Sequence, residues 1–116
     1  MKLLLIIENK DLISYLTDLI NRNEDDCLLS DEITKSHLLV KSYTPDWVII
    51  DLNLIEINSF ELAKRIKEEK PKINICILSD MLDKRLQNKA KSLGVECFLS
   101  KESLYEIYEI IGGIEY

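Results

Sequence analysis

The chain has 116 residues, 47% of them hydrophobic and 31% charged, with 15 Lys and Arg against 21 Asp and Glu for a formal charge of −6. That length holds one domain, and that apolar share supports a core, which excludes intrinsic disorder as the main description. The acidic balance argues against a nucleic-acid surface, which needs a basic face to meet phosphate.

In chain order, Leu3–Ile7 is a continuous apolar run and predicts a first strand. Leu12, Ile13, Leu16, Leu19 and Ile20 follow at the spacing of an amphipathic helix. Cys27–Leu29 predicts a second strand, and Glu32–Ser42, bounded by Thr44-Pro45, a weaker helix. Trp47–Ile50 is the third run, followed by a helical stripe of Phe60, Ala63, Ile66 and Lys67 that stops at Pro71. Ile73–Leu78 is the fourth, followed by Leu82, Leu86, Ala90 and Leu93, closed by Gly94. Cys97–Leu99 is the fifth, followed by Leu104, Ile107, Tyr108 and Ile111, closed by Gly112-Gly113. These runs are too continuous for half-exposed antiparallel strands and fit strands buried on both faces of a parallel sheet. The order is strand then helix, five times, which predicts an α/β, doubly wound sheet with right-handed crossovers.

No segment reaches the ~20 consecutive apolar residues that span a bilayer. The N-terminus lacks the small-residue cleavage pattern of a signal peptide, so a cytoplasmic location is expected. Cys27, Cys76 and Cys97 each lie in an apolar run and read as buried free thiols. Their spacing matches no zinc pattern, and His37, the only histidine, reads as a surface residue of the second helix. The charged run from Lys64 to Lys70 reads as a solvated helix face, and Tyr105, Tyr108 and Tyr116 as a candidate interaction surface.

In doubly wound sheets the ligand site lies beyond the carboxyl ends of the strands. Those ends carry Glu8-Asn9, Asp51, Ser79-Asp80 and Ser100-Lys101. No glycine-rich loop follows the first strand, which excludes dinucleotide and Walker-type nucleotide binding. Glu8-Asn9-Lys10-Asp11 is also the wrong chemistry for the phosphate loop of a flavodoxin-like electron carrier. Oxygen ligands suit Mg²⁺, while a lysine and a hydroxyl suit a phosphoryl group.

On Glu8-Asn9, Asp51, Ser79 and Lys101, with Asp51–Ile55 and Phe60-Glu61-Leu62 in register, the chain resembles the receiver domain of two-component response regulators, chemotaxis receivers included. The resemblance covers residues 1–116 as one domain, and it leaves open whether the chain is cut from a longer regulator after about residue 113. It implies a flavodoxin-like (βα)5 fold with strand order 2-1-3-4-5. It implies a phosphoacceptor rather than an enzyme, one that assists its own phosphorylation and dephosphorylation. By resemblance, Asp51 takes a phosphoryl group from a sensor histidine kinase. Mg²⁺ sits on Glu8, Asn9, Asp51 and the main-chain carbonyl of Asn53. Lys101 pairs with Asp51 and then with the phosphoryl group, Ser79 donates its hydroxyl to it, and Phe98 is the aromatic switch. Asn53 and Met81 fall where the family tunes dephosphorylation. The output face for an effector domain or a homodimer is the fourth and fifth helices with the fifth strand.

The departures are specific. Asn9 replaces an aspartate that ligates Mg²⁺, which lowers the expected affinity. Asp80 replaces a small residue and is open to four roles: blocking the pocket, repelling the anion, pairing with Lys101, or turning to the cation and restoring the charge that Asn9 lacks. Ile55 replaces a proline, Asn58-Ser59 an Asp-Gly, and Glu102 a proline. Glu102, Glu106 and Glu109 on the last helix do not suit the arginine-dependent dimer of the winged-helix branch. Asn9 and Asp80 motivate an alternative, a phosphorylation-independent protein-interaction module.

Overall fold

The computed structural model describes residues 1–112 and forms one five-stranded parallel sheet. Its strands are β1 (Lys2–Ile6), β2 (Asp26–Leu29), β3 (Trp47–Asp51), β4 (Asn74–Ser79) and β5 (Cys97–Ser100). Their order is β2-β1-β3-β4-β5, as the family resemblance implies. The helices are α1 (Lys10–Arg22), α2 (Ser36–Tyr43), α3 (Ser59–Glu69), α4 (Lys84–Ser92) and α5 (Ile107–Gly112).

Successive strand residues point to opposite faces, so a continuous apolar run feeds two cores at once. Leu3, Leu5, Trp47, Ile49, Cys76 and Leu78 pack on one face against Leu16 and Ile20 of α1 and Ile107 and Ile111 of α5. Leu4, Ile6, Val48, Ile50, Ile75 and Ile77 pack on the other against Val40 of α2, Phe60, Leu62, Ala63 and Ile66 of α3, and Ala90 of α4. Ile6 pairs with Ile50, Asp51 with Leu78, and Ser79 with Ser100. That register brings the ends of β1, β3, β4 and β5 to one edge of the sheet, with Glu8, Asp51, Asp80 and Lys101 on it.

Several expectations need correction. β2 is an edge strand whose residues are half-buried or exposed, because only β1 pairs with it. Cys27 on it is half-buried, whereas Cys76 and Cys97 are buried. The second helix is shorter than expected: Ile33–Lys35 is a 3₁₀ turn, and regular α-helix begins at Ser36. Leu82 is not in α4 but exposed before it, because Asp83 caps that helix by accepting from the amides of Arg85 and Leu86. Lys101–Glu106 is a 3₁₀ segment, so Leu104 precedes α5. His37 lies on α2, as expected, but is only partly exposed, with its Nδ1 buried and without a hydrogen-bond partner among the described residues. Tyr105 is exposed and Tyr108 half-buried, while Gly113 and Tyr116 lie outside the described residues.

Candidate functional site

Asp51 ends β3 with a side chain that is 2% exposed. Its Oδ1 accepts from Lys101 Nζ at 2.9 Å and from the Asn53 amide at 3.0 Å. Both contacts fall on one oxygen. The loop after it is closed by a residue that sequence reasoning missed: Ser59 Oγ donates to the Asp51 carbonyl at 2.7 Å and to the Leu52 carbonyl at 3.2 Å. The available signal was its place just after Asn58, which caps α3 through the amides of Phe60 and Glu61.

Lys101 reaches Asp51 because β5 ends beside β4, and Ser100 turns the chain into the 3₁₀ segment by accepting from the Glu102 amide at 3.2 Å. Its ammonium holds two carboxylates, Asp51 at 2.9 Å and Asp80 Oδ1 at 3.0 Å. Burial works against the charged ammonium, but the hydrogen bonds to Asp51 and Asp80 outweigh it and raise its pKa above the ordinary 10.5. Asp80 Oδ2 accepts in turn from the side-chain amide of Asn53. The hydrogen bond from Lys101, then that from Asn53, holds Asp80 below the usual carboxylate range. Of the roles left open for Asp80, the structure shows the pairing with Lys101.

The remaining candidates stand apart from this network. Glu8 Oε1 accepts from the Ile55 amide at 2.8 Å, a bond that a proline at position 55 could not make. Glu8 also borders a cleft of about 380 Å³ shared with Asp31, Glu32 and Glu56. Asn9 caps α1, its Oδ1 accepting from the Leu12 amide at 2.9 Å. Ser79 is buried, and its hydroxyl donates to the Met81 carbonyl at 2.8 Å rather than reaching toward Asp51. Phe98 is half-buried on the α3/α4 face, opposite Ile77, and Met81 is exposed.

A family model for the response regulator receiver domain matches residues 3–111. The chain belongs to that family. Receiver domains are signalling domains that bind Mg²⁺, and response regulators work with histidine kinases and effector domains. Solved structures give the same fold. A DNA-binding response regulator of the LuxR family from Staphylococcus aureus superposes with a TM-score of 0.87 at 21% identity, over 99% of this chain and 98% of that one. A chemotaxis protein from Vibrio cholerae gives 0.84 at 15% identity, over 95% and 97%. A response regulator from Burkholderia pseudomallei, solved with a phosphorylated aspartic acid, calcium and citrate, gives 0.79 at 17% identity, over 90% of this chain and 64% of that one. A search of curated proteins returns no significant match.

The donors of this receiver domain suit a hard cation in kind, since Glu8, Asp51 and the Asn53 carbonyl offer only oxygen. Among the described residues no group of three His, Cys, Asp or Glu side chains is placed to hold a metal ion. Asn9 contributes an uncharged oxygen already engaged with the first turn of α1. The donors match Mg²⁺ in chemical kind, while Glu8 and Asn9 are engaged with the Ile55 and Leu12 amides rather than gathered around Asp51. No helix among the described residues is long and apolar enough to cross a membrane.

Proposed function

We propose that the protein is a phosphorylation-controlled signalling switch that accepts its phosphoryl group on Asp51. One observation carries the reading: a carboxylate 2% exposed at the end of β3, paired at 2.9 Å with the lysine beyond β5, in a chain of the receiver family. The Burkholderia neighbour, with its phosphorylated aspartic acid, supports the chemistry.

The oxygen of Asp51 that faces neither Lys101 nor Asn53 is the nucleophile. It attacks the phosphorus of a phosphohistidine or an acyl phosphate. A P–O bond forms to Asp51 while the donor's P–N or P–O bond breaks, and the electron pair leaves on the imidazole or the carboxylate. Lys101 passes from Asp51 to the new phosphoryl oxygens. Ser79 gives up its bond to the Met81 carbonyl and donates to the same group, which frees space for Phe98 to turn inward. Glu8, Asp51 and the Asn53 carbonyl, with Asn9, would hold Mg²⁺. When bound, it offsets charge on the phosphoryl oxygens. Asn53 and Met81 border the leaving path and set the lifetime of the phosphoryl group. The partners are a sensor histidine kinase upstream and an effector, or a second copy, at the α4–β5–α5 face. Phosphorylation biases that face between two states.

The test is incubation with millimolar Mg²⁺ and acetyl phosphate, followed by intact mass. The expected result is one added phosphoryl group in the wild type and none in Asp51→Asn. Equal labelling of both proteins places the acceptor elsewhere. No labelling of either favours the phosphorylation-independent interaction module.

A further inference from the structure

Asp80 is a carboxylate with no structural duty that accounts for its position. Its side chain is 62% exposed, and capping of α4 belongs to Asp83, not to it. Both of its oxygens are nevertheless engaged, and by groups from two other loops. Oδ1 takes the Lys101 ammonium at 3.0 Å, and Oδ2 takes the Asn53 side-chain amide. Lys101 is at the same time the partner of Asp51 at 2.9 Å, and Asn53 touches Asp51 through its main-chain amide. The two donors therefore border the acceptor carboxylate and point at one shared anion. A phosphoryl group on Asp51 presents anionic oxygens to the same donors.

We propose that Asp80 is a built-in surrogate anion: its carboxylate occupies the seat that phosphoryl oxygens take on Asp51, and it must leave before the group can settle. The inference rests on Asp51 being the acceptor and adds how its occupancy is regulated. Lys101 carries one positive charge and cannot neutralise Asp51, Asp80 and an incoming phosphoryl group together. Displacement is feasible because the latch is exposed to solvent, where ion pairs are weak and screened. The consequence is a receiver whose resting seat is filled, so that small phosphodonors load it slowly. Release of Asp80 toward solvent accompanies activation, and carries the change from the pocket to the loop that leads into α4.

The experiment measures beryllofluoride binding in millimolar Mg²⁺ by amide chemical shifts, in wild type, Asp80→Ala, Asp80→Asn and Asp11→Asn. Asp11 is exposed in the first turn of α1, so its variant removes one acidic charge without touching Lys101. The expected result is several-fold tighter binding in Asp80→Ala, a smaller gain in Asp80→Asn and no gain in Asp11→Asn. Before any addition, the side-chain amide resonance of Asn53 should also move in Asp80→Ala, a readout independent of phosphoryl chemistry. Equal binding by wild type and Asp80→Ala overturns the surrogate and leaves the acceptor role standing. An equal gain in Asp11→Asn overturns it as well, since net charge then suffices. No binding by any of the four proteins overturns the acceptor role, and the surrogate with it.

Discussion

Lys101 is one ammonium between two carboxylates, and the consequences of removing it follow from burial. Asp51 is 2% exposed, so Lys101→Met leaves a buried carboxylate facing Asp80 without a cation. The expected loss is about 1–3 kcal/mol of stability, read as a lower urea midpoint. An unchanged midpoint would show that the pair contributes nothing to folding. Asn9 allows a cleaner separation of two roles, because aspartate caps a helix as well as asparagine does. Asn9→Asp should keep the melting temperature and tighten Mg²⁺ several-fold by isothermal titration, whereas Asn9→Ala should lose about 1 kcal/mol of stability. Tighter Mg²⁺ in Asn9→Ala would contradict the ligand assignment. At this scale the sequence was informative about which residues reach the edge of the sheet, since each directly ends a strand. It was not informative about their partners. Asp80 sits in a loop where rotation about two bonds decides between Lys101 and the cation. By resemblance Asn53 is a metal-ligating carbonyl and a dephosphorylation-tuning position, and neither role points to its side-chain bond to Asp80.

Elements were legible wherever burial was complete. β1, β3 and β4 lie inside the sheet and read as apolar runs, the fourth interrupted only by Asn74, within one residue of their observed bounds. β2 was read as buried from three apolar residues, yet the edge of a sheet leaves one side without a neighbour. Leu82 continued the helical stripe of Leu86 and Ala90, but the Asp83 carboxylate satisfies the first amides of α4 and cuts the helix there. One long-range contact was invisible to periodicity. Glu96 Oε1 accepts from the Ile75 amide at 2.8 Å, and its other oxygen pairs with Lys67, which also donates to the Ile73 carbonyl at 2.7 Å. A side chain thus extends the β4–β5 ladder by one bond before Cys76 meets Cys97. Glu96→Ala strands the buried Ile75 amide and takes the carboxylate partner from the half-buried Lys67. The expected cost is about 1–3 kcal/mol in chemical denaturation, with Glu96→Gln recovering part of it through the amide bond. A Glu96→Ala protein as stable as wild type would remove this clamp from the account of the fold.

For the whole molecule, the charge of −6 gains a location. Part of it gathers at the carboxyl edge of the sheet, where Asp51 and Asp80 share Lys101 and Glu8 lies nearby without an ion-pair partner of its own among the described residues. The acidity also sets a pH response. Asp83 is held below the ordinary 3.8, chiefly by the Arg85 amide, and Asp80 below it by Lys101 and Asn53. A carboxylate depressed in the folded state adds stability that is present above its ordinary value and lost as the pH falls through the lowered one. Stability should therefore decline as the pH drops below 3.8, and Asp83→Asn should flatten that decline while keeping the cap. Parallel pH curves for the two proteins would show that the cap charge is not involved.

The acceptor role of Asp51 is tested most directly by locating the acyl phosphate. The protein is incubated with Mg²⁺ and acetyl phosphate, sampled over a time course, reduced with borohydride and mapped by tandem mass spectrometry. The expected result is homoserine at position 51, formed faster in Asp80→Ala than in wild type. Reduction at another carboxylate, or at none in either protein, would contradict it.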